Sequence, residues 1–370
     1  MRTSLGALPK TTRLPLRDIV LRNIFAALAG VWTLGLMTSL SLAQDAIPNE
    51  APKGAQILLL GTHGGPVLSE QRSEPATLLI VDGRLYLIDC GIGTMRRMLD
   101  AGVKSDTIGT IFITHSHPDH ALGLVDVLAN DFLSVDFGVG LQEFNIYGPA
   151  ETPALVSAAY NFIRISYGVF AAEPLGASTL SNPFKAHVID HDGLVYQDDK
   201  IRVTAAENTH YQLMRAQYRA TMKSYSYRFE TPYGAIVFTG DTGPSTAVEE
   251  LAKGADVLIS EVEDLEAVEV GEKSPAARPG NAPGNGDVMA EHMRKEHLSF
   301  KALAELASKA QVKALILYHY VGGEDGAKFA AGVKQYYSGP VYAGEDLARY
   351  CLSAEATTSG SRSGALRLCR

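Results

Sequence analysis

Four residues of types that bind metal ions lie within six positions, directly after a hydrophobic run. The run is Ile111-Phe112-Ile113, and after Thr114 the chain reads His115-Ser116-His117-Pro118-Asp119-His120. An apolar run that ends in polar residues is typical of a buried strand, and the residues from Asp119 onward predict a helix. Because alternate side chains of the connecting loop point in different directions, His115 and His117 are expected to bind one ion and Asp119 and His120 a second.

A set of solvated surface side chains would share this polarity, but three of the ten histidines of the chain fall in these six positions. That concentration favours a metal site. Imidazole and carboxylate ligands suit zinc, and they also accept manganese or iron. Two ions need more ligands than this one segment supplies, so others are expected at the ends of later strands.

Three such residues are present. His210 ends the segment 201–210, Asp241 ends 235–241 and His319 ends 314–319, and each segment begins with residues that predict a strand. One histidine after one strand is more often structural than metal-binding, so the prediction depends on their shared placement.

Short runs of Leu, Ile and Val recur from residue 54 onward, and helical patterns lie between the later ones. Hydrophobic residues make up 46% of the 370 residues, which is enough for a large core and excludes a disordered chain. The order of elements is neither a strict βαβ alternation nor all-β. It predicts an α/β fold in which sheets pack together with helices outside.

The sequence resembles the metallo-β-lactamase-fold hydrolases over most of residues 54–345. Within that superfamily it is most similar to the ribonuclease Z and arylsulfatase-type phosphodiesterase branch. The superfamily motifs are Asp89-Cys90-Gly91, the segment from His115 to His120, the lone His210, Thr239-Gly240-Asp241-Thr242 and His319. The branch motifs are Tyr147-Gly148-Pro149, Ser224-Tyr225-Ser226-Tyr227-Arg228, Glu261 and His297-Leu298-Ser299.

This resemblance implies an αββα sandwich of the metallo-β-lactamase type with a dinuclear metal site at one edge. The cofactor would be two Zn²⁺ per chain, with Mn²⁺ or Fe²⁺ also compatible. The ligands would be His115, His117 and His210 for the first ion, and Asp119, His120 and His319 for the second, with Asp241 bridging the two.

Two neighbouring cations can share one water and lower its pKa towards neutrality, so hydroxide would serve as the nucleophile. The implied catalytic residues are Asp119, His297 and Glu261. His297 would protonate the leaving group and Glu261 would orient its ring. In the alternative interpretation, His297 only caps its helix.

A basic, tyrosine-rich segment at 211–228 follows His210 and carries no acidic residue. We expect Tyr211, Arg215 and Arg219 to border the metal site and to bind an anionic substrate. A solvated hairpin face fits the same pattern equally well. The formal net charge of −8 disfavours a stable nucleic-acid partner, because such proteins need a broad basic face. The expected partner is therefore a small anionic ester.

The N-terminal segment predicts export. Its first 23 residues carry five basic side chains against one acid, and residues 24–43 are uncharged and end in Ser41-Leu42-Ala43. This is typical of a signal peptide, residues 1–43, cleaved after Ala43. The mature protein would then be periplasmic or secreted and free of the membrane; an uncleaved anchor is the alternative.

The rest of the chain divides into a linker over 44–53, a hydrolase domain over 54–350 and a tail over 351–370. In an oxidising compartment Cys351 and Cys369 could form a disulfide, and Cys90 is expected to be a buried, inert thiol. Homodimerisation is compatible with the family.

The predicted function is an exported dinuclear zinc hydrolase of small phosphodiesters or aryl sulfate esters. A lactone or β-lactam hydrolase of the same fold is the alternative enzyme. A metal-binding scaffold protein is the alternative outside enzymes, and the presence of all seven ligand positions argues against it.

Overall fold

The leucine-, isoleucine- and valine-rich runs form the strands of two sheets in the computed structural model of the chain. The structure describes residues 53–103, 108–136, 143–173, 181–265, 285–355 and 363–369. The predicted signal peptide lies outside these residues. No helix of the described part is long and apolar enough to cross a membrane.

The first sheet has eight strands in the order β15-β14-β1-β2-β3-β4-β5-β6. The pairs β3–β4, β4–β5 and β5–β6 are parallel, and the other neighbours are antiparallel. Its strands are β1 Ala55–Gly61, β2 Ala76–Val81, β3 Arg84–Ile88, β4 Ile108–Phe112, β5 Phe144–Gly148, β6 Phe184–Val188, β14 Arg349–Glu355 and β15 Ser363–Leu368.

The second sheet has seven strands in the order β13-β12-β11-β10-β9-β8-β7. The strands from β10 to β13 are parallel neighbours, and those from β7 to β10 are antiparallel. They are β7 Gly193–Gln197, β8 Arg202–Glu207, β9 Tyr225–Thr231, β10 Gly234–Phe238, β11 Val257–Glu263, β12 Leu315–Val321 and β13 Val341–Ala343.

Helices cover the outer faces of both sheets. Ser245 and Ser299 begin two of them, since the Oγ of each accepts a hydrogen bond from the backbone three residues on. The helices are α1 Thr94–Asp100, α2 Pro118–Ala121, α3 Leu124–Asp136, α4 Thr152–Ala171, α5 Ala216–Arg219, α6 Thr246–Leu251, α7 Asn285–Glu296, α8 Phe300–Lys309 and α9 Gly326–Lys334.

Three buried clusters hold these layers together. One fills the space between the sheets, where the ring of Phe112 from β4 meets the edge of Phe229 from β9 at 5.2 Å between centroids. A second packs α6, α8 and α9 on the second sheet, and a third packs α1, α3 and α4 on the first. The layer order is therefore αββα, as predicted.

The structure differs from the sequence prediction in two elements before residue 200. The helix expected from Asp119 is divided at Gly123, where a Cβ atom would lie 2.0 Å from the carbonyl oxygen of Gly91. This close backbone approach leaves no room for a side chain at Gly123. Strand β7 was not predicted; its residues are half-buried or exposed, so it lacks the apolar run by which the other strands were identified.

The first sheet also continues past residue 350, the predicted end of the domain. Strand β14 pairs with β1, β15 pairs with β14, and a disulfide joins Cys351 to Cys369. Much of the expected tail is thus strand rather than an appendage. Cys90 is buried, and burial raises the pKa of its thiol, in agreement with an inert residue.

Candidate metal centre

The predicted ligands meet at one edge of the sandwich because they follow, or end, strands of both sheets that run toward that edge. His115 and His117 lie in the loop after β4, Asp119 and His120 lie in α2, His210 follows β8, and Asp241 follows β10. His319 lies within β12 and has a positive φ of 48°, which few non-glycine residues adopt. Such backbone strain is typical of functional positions.

Three imidazoles form the first group. The Nδ1 of His117 lies 3.1 Å from the Nε2 of His115 and 3.0 Å from the Nε2 of His210. Tetrahedral zinc with ordinary Zn–N bonds separates its ligand nitrogens by roughly 3.3 Å. The spacing of these three atoms therefore fits one zinc-sized cation.

Asp119, His120 and His319 form the second group. The Oδ2 of Asp119 lies 3.4 Å from the Nε2 of His319 and 3.6 Å from the Nε2 of His120. All three side chains are buried, and their ligand atoms lie close enough together to hold one ion.

Asp241 lies between the two groups. Its Oδ1 is 3.3 Å from the Nε2 of His120, and its Oδ2 is 3.2 Å from the Nε2 of His319. On the other side, Oδ2 is 3.9 Å from His115 and 3.8 Å from His210, measured to Nε2. A single carboxylate thus faces both groups, as a bridging ligand would.

Several of these buried atoms have no hydrogen-bond partner among the described residues. They include the Nε2 atoms of His120 and His319 and the Oδ1 of Asp241. A buried polar atom without a partner costs about 1–3 kcal/mol. A cation would satisfy all of them together, so the residues present fit metal binding.

Hydrogen bonds on the far side of each ring fix which nitrogen faces the centre. The Nδ1 of His120 donates to the Oδ2 of Asp89 at 2.8 Å, and the Nδ1 of His210 donates to the carbonyl oxygen of Glu296 at 3.0 Å. Thr114 donates its hydroxyl proton to Asp89 and so accepts from the Nδ1 of His115 at 3.0 Å. All three rings therefore present an unprotonated Nε2 to the centre.

The electrostatics give this ligand form directly for the first group. Burial lowers the pKa of His115 and His117 and brings that of His210 to about 4, so these rings are neutral at pH 7. Burial opposes ionisation of Asp241, but His319 and His120 hold its pKa well below the usual range. Burial also opposes the charge of His120, but the carboxylates around this ring raise its pKa well above the usual value, so a metal ion would displace a proton from its Nε2.

A histidine–carboxylate pair lies beside the two groups. The Nδ1 of His297 is 2.6 Å from the Oε2 of Glu261, and the Oε1 of Glu261 accepts a hydrogen bond from the backbone of Thr242 at 2.6 Å. The His297 ring lies 5.0 Å from that of His210 and is stacked 6.3 Å from that of His319. Burial lowers the pKa of His297 and raises that of Glu261. The two residues predicted as acid and orienting group are thus in contact beside the ligand groups, and their roles stay predictions.

Of the predicted substrate residues, Tyr211 borders the centre and the two arginines are exposed. The Tyr211 ring is buried, stacked on His210 at 5.3 Å and 5.3 Å from His117. Arg219 donates to the carbonyl oxygen of Gln212 at 2.9 Å, and Arg215 precedes α5. Their contact with a substrate stays a prediction.

Three neighbours of the centre were not among the predicted site residues. Asp89 was noted only as part of a motif, although its position directly after β3 is the signal that identified the other ligands. Glu296 and His292 lie on α7, where a polar stretch gave no periodic signal. The His292 ring is 5.3 Å from that of His297 and 6.0 Å from that of His210.

Comparisons with known proteins identify the family and the fold. Residues 84–320 match the model of a family described as beta-lactamase superfamily domain. Ribonuclease Z of Mycobacterium avium (strain 104) is 29% identical over 304 residues, which cover 81% of this chain and 99% of that protein.

Two solved structures share the fold. A metallo-β-lactamase fold protein from Bacillus subtilis has a TM-score of 0.57 at 16% identity, and the match covers 86% of this chain and 100% of the Bacillus chain. Human tRNase Z, short form, has a TM-score of 0.53 at 21% identity, and the match covers 80% of this chain and 98% of the human chain. The predicted fold class is therefore confirmed.

Proposed function

Since the chain belongs to the β-lactamase superfamily and is a metal-dependent hydrolase, we propose that it cleaves small phosphodiesters with two zinc ions as its cofactor. The observation that carries this proposal is Asp241, whose carboxylate faces both ligand groups at 3.2–3.9 Å. When bound, the ions would lower the pKa of a water and neutralise charge that develops on the phosphoryl oxygens.

Phosphodiester chemistry is supported by the relative's name, since ribonucleases cleave phosphodiester bonds. We propose a small substrate rather than a large RNA because the chain is acidic and a large RNA would require a broad basic face. Aryl sulfate esters present the same tetrahedral, anionic geometry and are the second substrate class.

His297 supplies the proton that the leaving oxygen needs. Burial raises the pKa of Glu261 and lowers that of His297, so the Oε2 of Glu261 donates its proton to Nδ1 and the Nε2 of the neutral ring carries the N–H. When Nε2 gives its proton to the leaving oxygen, Nδ1 takes the proton of Glu261, which leaves a neutral ring beside an ionised Glu261. Glu261 is itself fixed by the backbone N–H of Thr242. General-acid catalysis of this kind contributes most for poor leaving groups, which favours an ester over a β-lactam.

We also propose that the protein works outside the cytoplasm. The disulfide between Cys351 and Cys369 supports this location, because disulfides persist in oxidising compartments. N-terminal sequencing of the protein recovered from a fractionated host is expected to begin at Gln44. A cytoplasmic protein that retains Met1 would contradict export.

The proposed function is tested by metal analysis of the purified protein together with initial rates on four substrates. These are bis(p-nitrophenyl) phosphate, p-nitrophenyl sulfate, nitrocefin and a lactone. We expect two zinc ions per chain and the highest kcat/KM on the phosphodiester. Turnover of nitrocefin or the lactone alone would support the alternative enzyme, and bound metal without any turnover would support a scaffold.

A further inference from the structure

His292 is a histidine of the centre that none of the roles above uses. It lies on α7, five residues before His297, and its side chain is 31% exposed. The side chains of the two ligand groups are buried, except for that of His117. Its ring is 5.3 Å from that of His297, edge to face, and 6.0 Å from that of His210. It therefore lies at the solvent side of the centre, next to the proposed acid.

Glu296 holds the His292 ring in place. The Oε2 of Glu296 contacts the Nδ1 of His292, and the Oε1 accepts a hydrogen bond from the backbone of Leu213 at 2.6 Å. The carbonyl oxygen of the same residue accepts from His210 at 3.0 Å. The Glu296 side chain is only 6% exposed. One residue thus connects α7, the loop after β8 and a predicted metal ligand.

This arrangement differs from an ordinary surface ion pair. Exposed pairs four residues apart on a helix contribute little to stability and leave both groups mobile. Here the carboxylate is buried and both of its oxygens are occupied, so the ring has a defined orientation. Its Nδ1 is taken by Glu296, and within the described part of the chain its Nε2 has no hydrogen-bond partner.

We propose that His292 is a further substrate-contacting residue, which binds a non-bridging oxygen of the phosphoryl group while His297 protonates the leaving oxygen. Two imidazoles with centroids 5.3 Å apart can contact one tetrahedral group. With Nδ1 on the Glu296 carboxylate, the Nε2 edge of the ring is left for the phosphoryl anion, and a ring between two anions can donate from both nitrogens. This inference rests on the proposed phosphodiesterase function.

The experiment compares the zinc-loaded full chain with H292A on bis(p-nitrophenyl) phosphate. We expect H292A to raise KM about tenfold and to leave kcat and zinc content unchanged, because a charge-assisted hydrogen bond made equally in substrate and transition state is removed. The matched control is H191A, since His191 is also paired with a neighbouring carboxylate, Asp190, but is exposed. It is expected to behave as wild type.

The E296Q variant tests whether Glu296 orients the His292 ring. The glutamine amide oxygen can still accept from Leu213, but its NH₂ group would face the Nδ1–H of His292 and displace the ring. We expect E296Q to raise KM as H292A does, and the double variant to add nothing further. A loss of zinc in step with activity in H292A would instead show that His292 acts through His210 and would overturn the proposal.

Inorganic phosphate provides a readout that does not require turnover. Titration calorimetry of the zinc-loaded protein is expected to show phosphate binding that H292A weakens about tenfold. Unchanged phosphate affinity and unchanged KM would refute the contact. If the wild type binds zinc and phosphate but cleaves no phosphodiester, the proposed function fails while the role of His292 is still decided by this titration.

Discussion

Replacement of Asp89 by asparagine tests how the centre is held in its metal-binding form. Asp89 is buried and accepts hydrogen bonds from the backbone of Thr114 at 2.7 Å, from the Thr114 hydroxyl and from the Nδ1 of His120 at 2.8 Å. Its φ is 56°, a region that asparagine tolerates well. The substitution therefore keeps the size of the side chain and adds little backbone strain.

The substitution is expected to change which nitrogen of His120 carries the proton. An amide oxygen can still accept from Thr114, but the amide NH₂ would face the Nδ1–H of His120, and two donors cannot bond. The ring must then move its proton to Nε2, the atom that faces Asp119 and Asp241. A hydrogen bond to a charged group contributes about 1.5–3 kcal/mol, which corresponds to a loss of about 10–100-fold in affinity for the second ion.

The assay is zinc content after dialysis against buffers of defined free zinc, with rates on bis(p-nitrophenyl) phosphate measured in parallel. D198N is a matched carboxylate-to-amide control, because Asp198 accepts from Tyr86 at 2.6 Å and Tyr196 at 2.9 Å and is not among the ligands of the centre. Wild-type zinc affinity in D89N would refute the reasoning about the His120 tautomer.

Three further predictions concern the acid and the stability of the fold. H297A is expected to lower kcat about 10²–10⁴-fold for a diester with an alkoxide leaving group. The kcat of E261Q is expected to lie between those of H297A and wild type, and both variants should keep their zinc. Equal losses for p-nitrophenolate and alkoxide leaving groups would contradict the acid role. Burial raises the pKa of Asp198, but hydrogen bonds from Tyr86 and backbone groups outweigh this effect and lower it to about 2. The ionised Asp198 carboxylate therefore stabilises the fold above about pH 4, and this stabilisation is lost as the pH falls towards 2. Urea titrations are therefore expected to show D198N less stable than wild type at pH 7 and similar to it at pH 2; a constant difference would refute this. Reduction of the Cys351–Cys369 disulfide, which closes a loop of 18 residues, is expected to lower the free energy of unfolding by about 3 kcal/mol, and an unchanged urea midpoint would contradict that value.

The ligand groups could be anticipated from the sequence because strand ends are readable there. A strand pattern followed within a few residues by a histidine or aspartate marks a side chain at the edge of a sheet, and His210, Asp241 and His319 all have that signature. Their meeting then follows from the way two packed sheets bring their strand ends to one edge. Asp89 carries the same signature, so the sequence also marks this residue as one at the edge of the sheet.

The surroundings of His292 could not be anticipated in the same way. Its neighbours in space come from α7, from the loop after β8 and from the residue after α7, and no sequence period relates these segments. The positions of the two arginines could not be anticipated either. The sequence shows a basic segment beside a ligand, but the orientation of Arg215 and Arg219 depends on a short surface helix that the charge pattern does not specify.

The most direct test of a dinuclear centre is anomalous diffraction at the zinc absorption edge from crystals grown with zinc. We expect two peaks, one among His115, His117 and His210 and one among Asp119, His120 and His319, with the Asp241 carboxylate between them. A single peak, or density that leaves Asp241 without a metal neighbour, would contradict the account.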